Sequence, residues 1–552
     1  MSTAEQTEKR DDLMTLTVDG VEVRRAPAPG LTVIQVCDDL GVEIPRFCYH
    51  PELTIPANCR MCLVEVEKAP KLMPACHTQV RDGMVINTQN ERVKKARESV
   101  LEFILVNHPV DCPICDQAGE CPLQDQYFEH DGREARVGSP VNKVKKAKRV
   151  EVGPRVTLDQ ERCILCTRCV RFMDEVAKAP QLGMFWRGDH AYIDTFPGQP
   201  LDSEYSLNTV AICPVGALTS TDFRFKKRAW NLRAAPTLCD GCDRGCNAWL
   251  DRDVEGKSFY RYRARENEAV NRSWMCDPGF LSYQRLNEGR LSAARAGRGL
   301  EARVSDGVEV ADQIGALLSA NKGKVALVVS ATVSTEEALA AAAFGAQALG
   351  VKALYQSGRA PGASDAILQR ADKNPNTLGL QLAAEAHGLS LLPFADFDGA
   401  GVEVLLFIGD ELAAEAPQWL AKKQVVTFAR GTQGLSAQSD WVLPLAAHAE
   451  ADGSFVNFSG RVQRFWKVAE PRGAAATAWE WLGLIGEPLG WGRAEESAGE
   501  VFEALKGETG PLAQVVWAEI DASGVTLEGV GAADEQTGGR GEPDRGVSRW
   551  PR

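Results

Sequence analysis

The chain lacks the features that define several common protein classes. It has no run of 18 apolar residues, so we predict no membrane-spanning helix. It has neither a Walker phosphate-binding loop nor a G-x-S-x-G motif, so two frequent kinds of catalytic site leave no signal. The first residues, MSTAEQTEKRDDL, lack an apolar stretch and carry too many acids for a secretory signal or a transit peptide. We therefore expect a cytosolic chain whose thiols stay reduced.

Two other sequence features give only weak evidence for a binding site. The net charge of −13 argues against nucleic acid as a partner, and we expect the basic segment KVKKAKR (143–149) to be the solvated face of a linker. The segment GRGLEA (297–302) resembles a dinucleotide-binding motif. It follows no predicted strand and lies in a polar stretch, so we reject it as such a site.

Cysteine is missing from the last 276 residues, although the chain has 16 cysteines between Cys37 and Cys276. A uniform scatter would almost never produce this distribution. The first half is therefore expected to carry cysteine chemistry, and the second half a different function.

The first half begins with a predicted small α+β module. Residues 14–25 form a hairpin pattern around Asp19 and Gly20. A helix is predicted over 32–41, with Leu40 among its apolar positions, and a strand over 62–68. A longer helix is predicted from Glu91 to His108, where it must end because Pro109 disfavours the α conformation before it.

The second half shows βα units. Buried strands are predicted at 325–331, 402–410 and 424–430, and Ser334 with Glu337 forms a capping box before an Ala-rich buried helix at 336–351. This pattern predicts an α/β domain with a parallel sheet. We expect a domain boundary at 295–303, and a disordered Gly-rich tail from about residue 530.

The first cysteine set has the spacing C-x10-C-x2-C-x13-C and consists of Cys48, Cys59, Cys62 and Cys76. It keeps the C-x2-C core and the distant fourth cysteine of plant-type [2Fe–2S] sites, with a longer first gap. A zinc site with four cysteine ligands is the alternative.

The second set has the spacing H-x3-C-x2-C-x5-C and consists of His108, Cys112, Cys115 and Cys121. A histidine and three cysteines bind either structural zinc or an iron–sulfur cluster. In the cluster, a neutral imidazole would replace an anionic thiolate and favour reduction, as in Rieske centres.

The third set has the spacing C-x2-C-x2-C followed by a distant Cys-Pro, and consists of Cys163, Cys166, Cys169 and Cys213. This is the bacterial ferredoxin run, except that Met173 occupies the position of the next cysteine. It is the most specific signal in the chain and predicts a ferredoxin-like unit with one [4Fe–4S] cluster, with zinc as the alternative.

The fourth set has the spacing C-x2-C-x3-C-x29-C and consists of Cys239, Cys242, Cys246 and Cys276. A zinc ribbon remains possible on spacing, and a third [4Fe–4S] cluster is favoured because three similar sets precede it. Only Cys37 is left over, and its place on the apolar face of a predicted helix indicates a core residue.

Four such sites in one chain predict an electron relay, because iron–sulfur clusters pass single electrons. The sequence shows no convincing site for a two-electron substrate, so we expect the electron donor and acceptor to lie on other subunits.

The order of these four motifs resembles the large iron–sulfur subunit of respiratory complex I, which is the G-type or 75 kDa family of NADH-quinone oxidoreductase. The match covers residues 14 to about 280. In addition, EADGSFVNFSGRVQRFW (450–466) resembles a late segment of molybdopterin-dependent oxidoreductases. In the family this domain is a remnant without molybdenum cofactor, and we expect none here.

The resemblance implies a multidomain α+β and α/β architecture. It comprises a β-grasp [2Fe–2S] ferredoxin-like domain (12–92), a helical segment with the His-ligated [4Fe–4S] cluster (93–135) and a [4Fe–4S] ferredoxin-like domain (150–225). A molybdopterin-oxidoreductase-type [4Fe–4S] domain (232–290), a degenerate molybdopterin-oxidoreductase-like α/β domain (300–525) and the tail (530–552) complete it. One [2Fe–2S] and three [4Fe–4S] clusters follow.

The resemblance also implies partners and place. An FMN-bearing subunit would oxidise NADH, a small [2Fe–2S] subunit would lie nearby, and peripheral-arm subunits would carry electrons toward quinone. The first three clusters would belong to the main relay. The fourth, found in some bacterial members, would lie away from it. The chain would be peripheral, on the cytoplasmic side of the bacterial plasma membrane.

Three other functions stay open. NAD-linked hydrogenases and formate dehydrogenases share much of this N-terminal layout. This chain lacks the eight-cysteine ferredoxin segment of [FeFe]-hydrogenases, and it has no cysteine after Cys276 to act as a catalytic ligand. A zinc-bound interaction scaffold is the third alternative.

Overall fold

A computed structural model describes residues 13–130, 136, 143–493 and 495–531 of the chain. These residues divide after Trp230 into two compact units, called unit 1 (13–230) and unit 2 (231–531), and each is described by itself. All but the first two residues of the predicted disordered tail lie outside the described residues. No helix in these ranges is both long and apolar enough to cross a membrane.

Unit 1 contains short strands and five helices within the described ranges. The strands are β1 (Met14–Val18), β2 (Val21–Arg25), β3 (Leu63–Val66), β4 (Met73–Pro74), β5 (Val85–Asn87), β6 (Val150–Glu151), β7 (Val156–Leu158), β8 (Gly183–Phe185), β9 (Tyr192–Asp194) and β10 (Leu218–Ser220). The helices are α1 (Val33–Asp39), α2 (Glu91–Asn107), α3 (Pro122–His130), α4 (Arg168–Glu175) and α5 (Asn208–Ala211).

The first module of unit 1 is a five-stranded sheet in the order β2-β1-β5-β3-β4 with α1 beside it. The predicted hairpin is confirmed: β1 and β2 pair antiparallel, and the turn places Asp19 and Gly20 at φ 48° and 85°. Cys37 is fully buried in this core, as predicted. The prediction for Leu40 is wrong: α1 ends at Asp39, and the Leu40 side chain is 40% exposed.

The long helix α2 starts after Asn90, whose side chain accepts a hydrogen bond from the Val93 amide. It ends as predicted, because His108 before Pro109 is extended, with ψ at 132°. The remaining strands of unit 1 form a three-stranded sheet, β10-β7-β6, and the hairpin β8-β9.

The basic segment 143–149 is more than a solvated face, which corrects that expectation. The Lys143 ammonium donates to the His108 carbonyl at 2.9 Å, and Lys148 pairs with Asp111 at 3.1 Å and Glu161 at 2.7 Å. The segment is basic because it lies against a carboxylate-rich part of unit 1.

Unit 2 is built on an eight-stranded sheet and two three-stranded sheets. Its strands are β11 (Leu232–Leu238), β12 (Asn247–Asp253), β13 (Phe259–Ala264), β14 (Ala294–Ala296), β15 (Arg303–Ser305), β16 (Val325–Ser330), β17 (Ala353–Ser357), β18 (Ser390–Pro393), β19 (Val404–Ile408), β20 (Gln424–Ala429), β21 (Trp441–Pro444), β22 (Gly453–Val456), β23 (Arg461–Phe465) and β24 (Val525–Thr526). Its helices are α6 (Asp277–Leu281), α7 (Gly307–Ala320), α8 (Thr335–Phe344), α9 (Thr377–Ala386), α10 (Ala478–Gly486) and α11 (Ala498–Leu505).

The large sheet has the order β15-β14-β21-β20-β19-β16-β17-β18, and β16 to β21 pair in parallel. The predicted parallel sheet is therefore confirmed. Helix α8 is buried along its whole length and starts with the predicted capping box of Ser334 and Glu337. The chain order reverses between β16 and β19, which is the place where ligands bind in open α/β sheets.

The predicted boundary at 295–303 does not separate two compact units. Strands β14 and β15 flank this segment, pair with each other and extend the large sheet next to β21. Ala294 is fully buried there. The polar composition of 297–302 reflects a turn at a sheet edge, and the division found in the fold comes earlier, after Trp230.

Candidate iron–sulfur sites

Site 1 consists of Cys48, Cys59, Cys62 and Cys76, from the loops around β3 and β4. The structure brings these thiols together: Cys48 interacts with Cys59 and Cys76, and Cys62 interacts with Cys76. Hydrogen bonds from its neighbours lower the pKa of the Cys48 thiol to about 2. The same hydrogen bonds raise the pKa of the Cys59 and Cys76 thiols, so the four sulfurs share protons at close range, as sulfurs gathered for one bound group would.

Site 2 consists of His108, Cys112, Cys115 and Cys121. His108 caps α2, and Cys121 immediately precedes α3, so two helix ends and a short turn carry the set. Burial lowers the pKa of His108 to about 4. The imidazole is therefore neutral at physiological pH, as a metal ligand must be.

Site 3 consists of Cys163, Cys166, Cys169 and Cys213, and all four line one cavity together with Ile164, Arg168 and apolar side chains. Burial raises the pKa of each of these thiols. Backbone amides oppose this effect: the Leu165 amide donates to the Cys163 sulfur at 3.4 Å. A cavity lined by four cysteines, with amides directed at sulfur, fits an iron–sulfur cluster.

Site 4, in unit 2, consists of Cys239, Cys242, Cys246 and Cys276. The first three lie between β11 and β12, and Cys276 precedes α6. The Gly241 amide donates to the Cys239 sulfur at 3.4 Å. A methyl group added at Gly279 would lie 3.3 Å from the sulfurs of both Cys239 and Cys276, so this glycine leaves room for a group held by the thiols.

All 16 cysteines are free thiols. Within the described ranges, no group of three or more His, Cys, Asp or Glu side chains has the geometry of a site for a metal ion. The features that fit iron–sulfur clusters are the sulfur-rich sets, the cavity of site 3 and the amides directed at sulfur.

The backbone is strained in the cysteine-bearing loops of sites 1, 2 and 3. Sequence patterns did not predict this strain. Left-handed φ values occur at Ala57 and Arg60 in site 1, Val110 in site 2, and Leu165 and Thr167 in site 3. Such conformations cost about 1–3 kcal/mol each and persist where surrounding structure fixes them. Val110 is the clearest case, because a β-branched residue rarely adopts this conformation.

Site 3 contacts site 1 through two arginines of α4. The Arg171 guanidinium donates to the carbonyls of Cys48 at 2.6 Å and Cys166 at 3.4 Å. Arg168 donates to the Tyr49 carbonyl at 2.5 Å and to the Ile212 carbonyl at 3.3 Å. Arg171 therefore joins Cys48 of site 1 to Cys166 of site 3. Arg168 joins Tyr49, beside Cys48, to Ile212, beside Cys213.

Site 3 also contacts site 2. Arg162, which precedes Cys163, donates two hydrogen bonds to the Asp111 carboxylate, which precedes Cys112, at 2.9 and 2.8 Å. This pair holds the pKa of Asp111 down to about 2, although burial opposes it. Gly216, three residues after Cys213, lies so close to site 2 that an added methyl group would come within 2.2 Å of the Cys115 sulfur.

The crevice of the large sheet in unit 2 is filled by paired charges. Glu411 accepts from Ser330 at 3.1 Å and from Arg430 at 3.4 Å, and it lies 4.0 Å from Arg359. Arg359 also pairs with Asp240, the neighbour of Cys239, at 2.8 Å. The guanidinium groups that could bind phosphate at this switch point are therefore bound to carboxylates of the chain.

Sequence models of three domain families match unit 1. They are a "2Fe-2S iron-sulfur cluster binding domain" over residues 11–91, an "NADH-ubiquinone oxidoreductase-G iron-sulfur binding region" over 97–136 and an "NADH-quinone oxidoreductase subunit 3, ferredoxin-like domain" over 153–219. The chain thus carries ferredoxin-like [2Fe–2S] and [4Fe–4S] domains within a mixed α/β fold.

Several curated relatives of the chain are named as subunits of NADH-quinone or NADH-ubiquinone oxidoreductase. The chain is 33% identical over 507 residues to the G subunit of the NADH-quinone oxidoreductase of Streptomyces coelicolor, covering 90% of this chain and 56% of that protein. It is 41% identical to the corresponding G subunit of Rickettsia felis (59% and 47%) and 45% identical to a 75 kDa NADH-ubiquinone oxidoreductase subunit of Reclinomonas americana (51% and 40%). The chain thus spans about half the length of the curated relatives it matches.

Proposed function

We propose that this chain, a homologue of the G and 75 kDa subunits of NADH-quinone oxidoreductase, is the electron-relay subunit of an NADH:quinone oxidoreductase of the complex I type. One observation carries the proposal: within unit 1, the ligand loops of site 3 contact those of site 1 and those of site 2. Three sites linked in this way are expected of a relay. A single structural metal would need no such contacts.

The contacts support an order of the relay in which site 3 lies between sites 1 and 2. We assign a [2Fe–2S] cluster to Cys48, Cys59, Cys62 and Cys76, and a [4Fe–4S] cluster to each of the other sets. These clusters supply one-electron transfer when bound. The chain's residues hold them in place, direct amides at their sulfur ligands and bury them from water.

His108 gives site 2 a neutral ligand. Burial keeps its imidazole unprotonated, while the cations Lys143, Lys148 and Arg162 act in the same direction. With one negative charge fewer than a site with four thiolates, site 2 is expected to accept an electron more readily. Replacement of His108 by Cys should lower the reduction potential of this site.

We assign unit 2 a supporting role. Its fourth cluster would be held by Cys239, Cys242, Cys246 and Cys276 and, as the family resemblance implies, would lie off the main relay. The rest of unit 2 would be a degenerate molybdopterin-oxidoreductase-like domain. The paired charges around Glu411 support this, because a bound nucleotide-like cofactor would have to displace them.

The proposed partners are those that the family resemblance implies. Electrons would enter from an FMN-bearing subunit that oxidises NADH, close to a small [2Fe–2S] subunit. They would leave through peripheral-arm subunits toward quinone. We place the chain at the cytoplasmic side of a bacterial plasma membrane, as a peripheral subunit.

The test is metal analysis combined with NADH reduction. We expect purified chain to contain iron and acid-labile sulfide, and EPR of the dithionite-reduced protein to show distinct cluster signals. NADH should reduce these clusters only when the flavoprotein partner is present. Zinc without sulfide would sink the proposal, and one molybdenum per chain would favour a formate dehydrogenase.

A further inference from the structure

Two buried arginines lie between site 1 and site 3, and their position suggests a role in the relay itself. Arg168 and Arg171 stand one turn apart on α4, on either side of the ligand Cys169. Residues three apart share a face of a helix, so both guanidinium groups can reach the same neighbouring loop. That loop is 48–54, which starts at the site 1 ligand Cys48.

The hydrogen bonds of this pair are made to main-chain carbonyls, except that Arg171 Nε also donates to the Thr167 hydroxyl at 3.3 Å. Arg171 donates to Cys48, Thr54 and Cys166, and Arg168 donates to Tyr49 and Ile212. Carbonyl groups are neutral, so these bonds fix the two ligand loops against each other without cancelling the positive charges. Glu175, at the end of α4, adds an anchor by accepting from the Thr54 amide at 2.8 Å.

The two cations act electrostatically on ligands of both sites. The thiols that influence Arg168 most are Cys166 and Cys213 of site 3, followed by Cys48 and Cys59 of site 1. Arg171 interacts in the same way with Cys166 and Cys48. Burial lowers the pKa of both guanidinium groups, but arginine stays charged in proteins.

One hydrogen-bond donor of Arg168 has no acceptor among the described residues. Its side chain lines the cavity of site 3, and its Nε is buried without a hydrogen-bond partner among the described residues. A buried donor without a partner is costly, so such an atom calls for an explanation. A sulfur-rich anion in that cavity would supply the missing acceptor.

The junction between sites 3 and 2 is different. There the cations Arg162 and Lys148 pair with three carboxylates, so their positive charge is offset; the carboxylates are those of Asp111, Asp159 and Glu161. The two junctions of site 3 therefore differ in net charge.

We propose that Arg168 and Arg171 are positioning residues for electron transfer between sites 1 and 3, holding their ligand loops together and raising both reduction potentials through their buried positive charge, which Glu175 offsets only in part. This inference rests on the proposed clusters. An added electron is stabilised by a nearby buried cation.

The test uses the Arg168→Gln and Arg171→Gln variants in the assembled complex, with EPR-monitored redox titration of every cluster. In each variant we expect the equilibrium constant for one-electron reduction of sites 1 and 3 to fall on the order of tenfold. This corresponds to a reduction potential lower by about 59 mV. Site 2 should change much less. Arg24→Gln is the matched control, because it removes an exposed arginine from the same unit.

Lysine variants separate charge from geometry. Arg171→Lys keeps the charge and loses the forked hydrogen bonds, so the potentials should stay near those of the unaltered protein while amide exchange in 48–58 speeds up. If the glutamine variants lose their clusters, Arg171→Lys still tests whether the positive charge raises the reduction potentials. A fall of the potentials in Arg171→Lys as large as that expected for glutamine would contradict it.

Unchanged potentials at sites 1 and 3 in both glutamine variants, at full iron and sulfide content, would overturn this inference. That outcome would leave the relay proposal standing if NADH still reduced the clusters. Conversely, potentials that shift as expected in a protein that NADH and its flavoprotein cannot reduce would support the arginine role and count against the relay.

Discussion

Unit 1 and unit 2 differ in what fills their interiors. The core of unit 2 is apolar: every residue of α8 is buried, and β16 and β19 are buried along their whole length. In unit 1 the apolar core around α1 includes two cysteines of site 1, Cys62 and Cys76, and buried charges such as Asp159 and Arg162 lie beside sites 2 and 3. We therefore expect the fold of unit 1 to depend on bound clusters more than the fold of unit 2 does, because the large apolar core of unit 2 contains none of the cysteines of site 4.

The largest expected effect is the loss of a ligand at the middle site of unit 1. Cys166→Ala should destroy the cluster of site 3 and stop NADH-to-quinone transfer, because the proposed relay passes from site 1 to site 2 through site 3. NADH:quinone turnover and EPR of the isolated complex measure this. Cys37→Ala is the matched control: it removes a buried cysteine outside all four sets and should leave every EPR signal intact.

Removal of iron should affect the amide protection of the two units differently. When a chelator strips the clusters from the reduced chain, we expect amide protection to collapse in 48–76 and 163–217 of unit 1. Strands β16, β19 and β20 should stay protected, because their core is apolar. Hydrogen exchange with mass spectrometry reads both units at once. Equal loss of protection in the two units would contradict the comparison.

The reverse experiment perturbs unit 2 alone. Phe344→Ala removes a fully buried ring from the core around α8 and should cost about 3–5 kcal/mol of unfolding free energy. Denaturant unfolding followed by tryptophan fluorescence measures the loss. The EPR signals of sites 1, 2 and 3 should be unchanged below the transition, and their disappearance would show that the units do not unfold separately.

A smaller change tests the junction between sites 3 and 2. Gly216→Ala would bring a methyl group within 2.2 Å of the Cys115 sulfur, so we expect the EPR signal of site 2 to change or disappear while that of site 1 persists. Gly183→Ala is the control, because its added methyl group meets only Phe185, at 3.5 Å. Identical spectra for the two variants would argue against this close approach.

The smallest expected effect on turnover comes from site 4. Cys242→Ala should impair assembly or stability of the chain, whereas complexes that do assemble should keep most of their NADH:quinone activity. Yield of assembled complex and turnover per FMN give the two quantities. Complete loss of turnover in fully assembled complex would contradict the position proposed for this site outside the relay.

Sequence patterns predicted the local features well. The hairpin at Asp19, the end of α2 at His108 and the capping box at Ser334 each depend on a few neighbouring residues, and each is present in the structure. Cysteine spacing likewise grouped Cys163, Cys166, Cys169 and Cys213, which line one cavity in the fold; their role as cluster ligands stays a prediction.

What the sequence could not predict are contacts between distant residues. Arg171 reaches the Cys48 carbonyl 123 positions earlier, and Arg162 binds Asp111 51 positions earlier. Nothing in either residue's own neighbourhood encodes its partner. The same limit explains the wrong prediction of a solvated face for the basic segment at 143–149, because the acids it pairs with lie elsewhere in the chain.

The most direct test of the relay is rapid-freeze EPR of the assembled Cys166→Ala complex after mixing with NADH. If site 3 stands between the other two sites, the signal of site 1 should appear within the first turnover while site 2 stays oxidised. Reduction of site 2 at the rate of the unaltered complex would contradict the order of sites on which the proposed function depends.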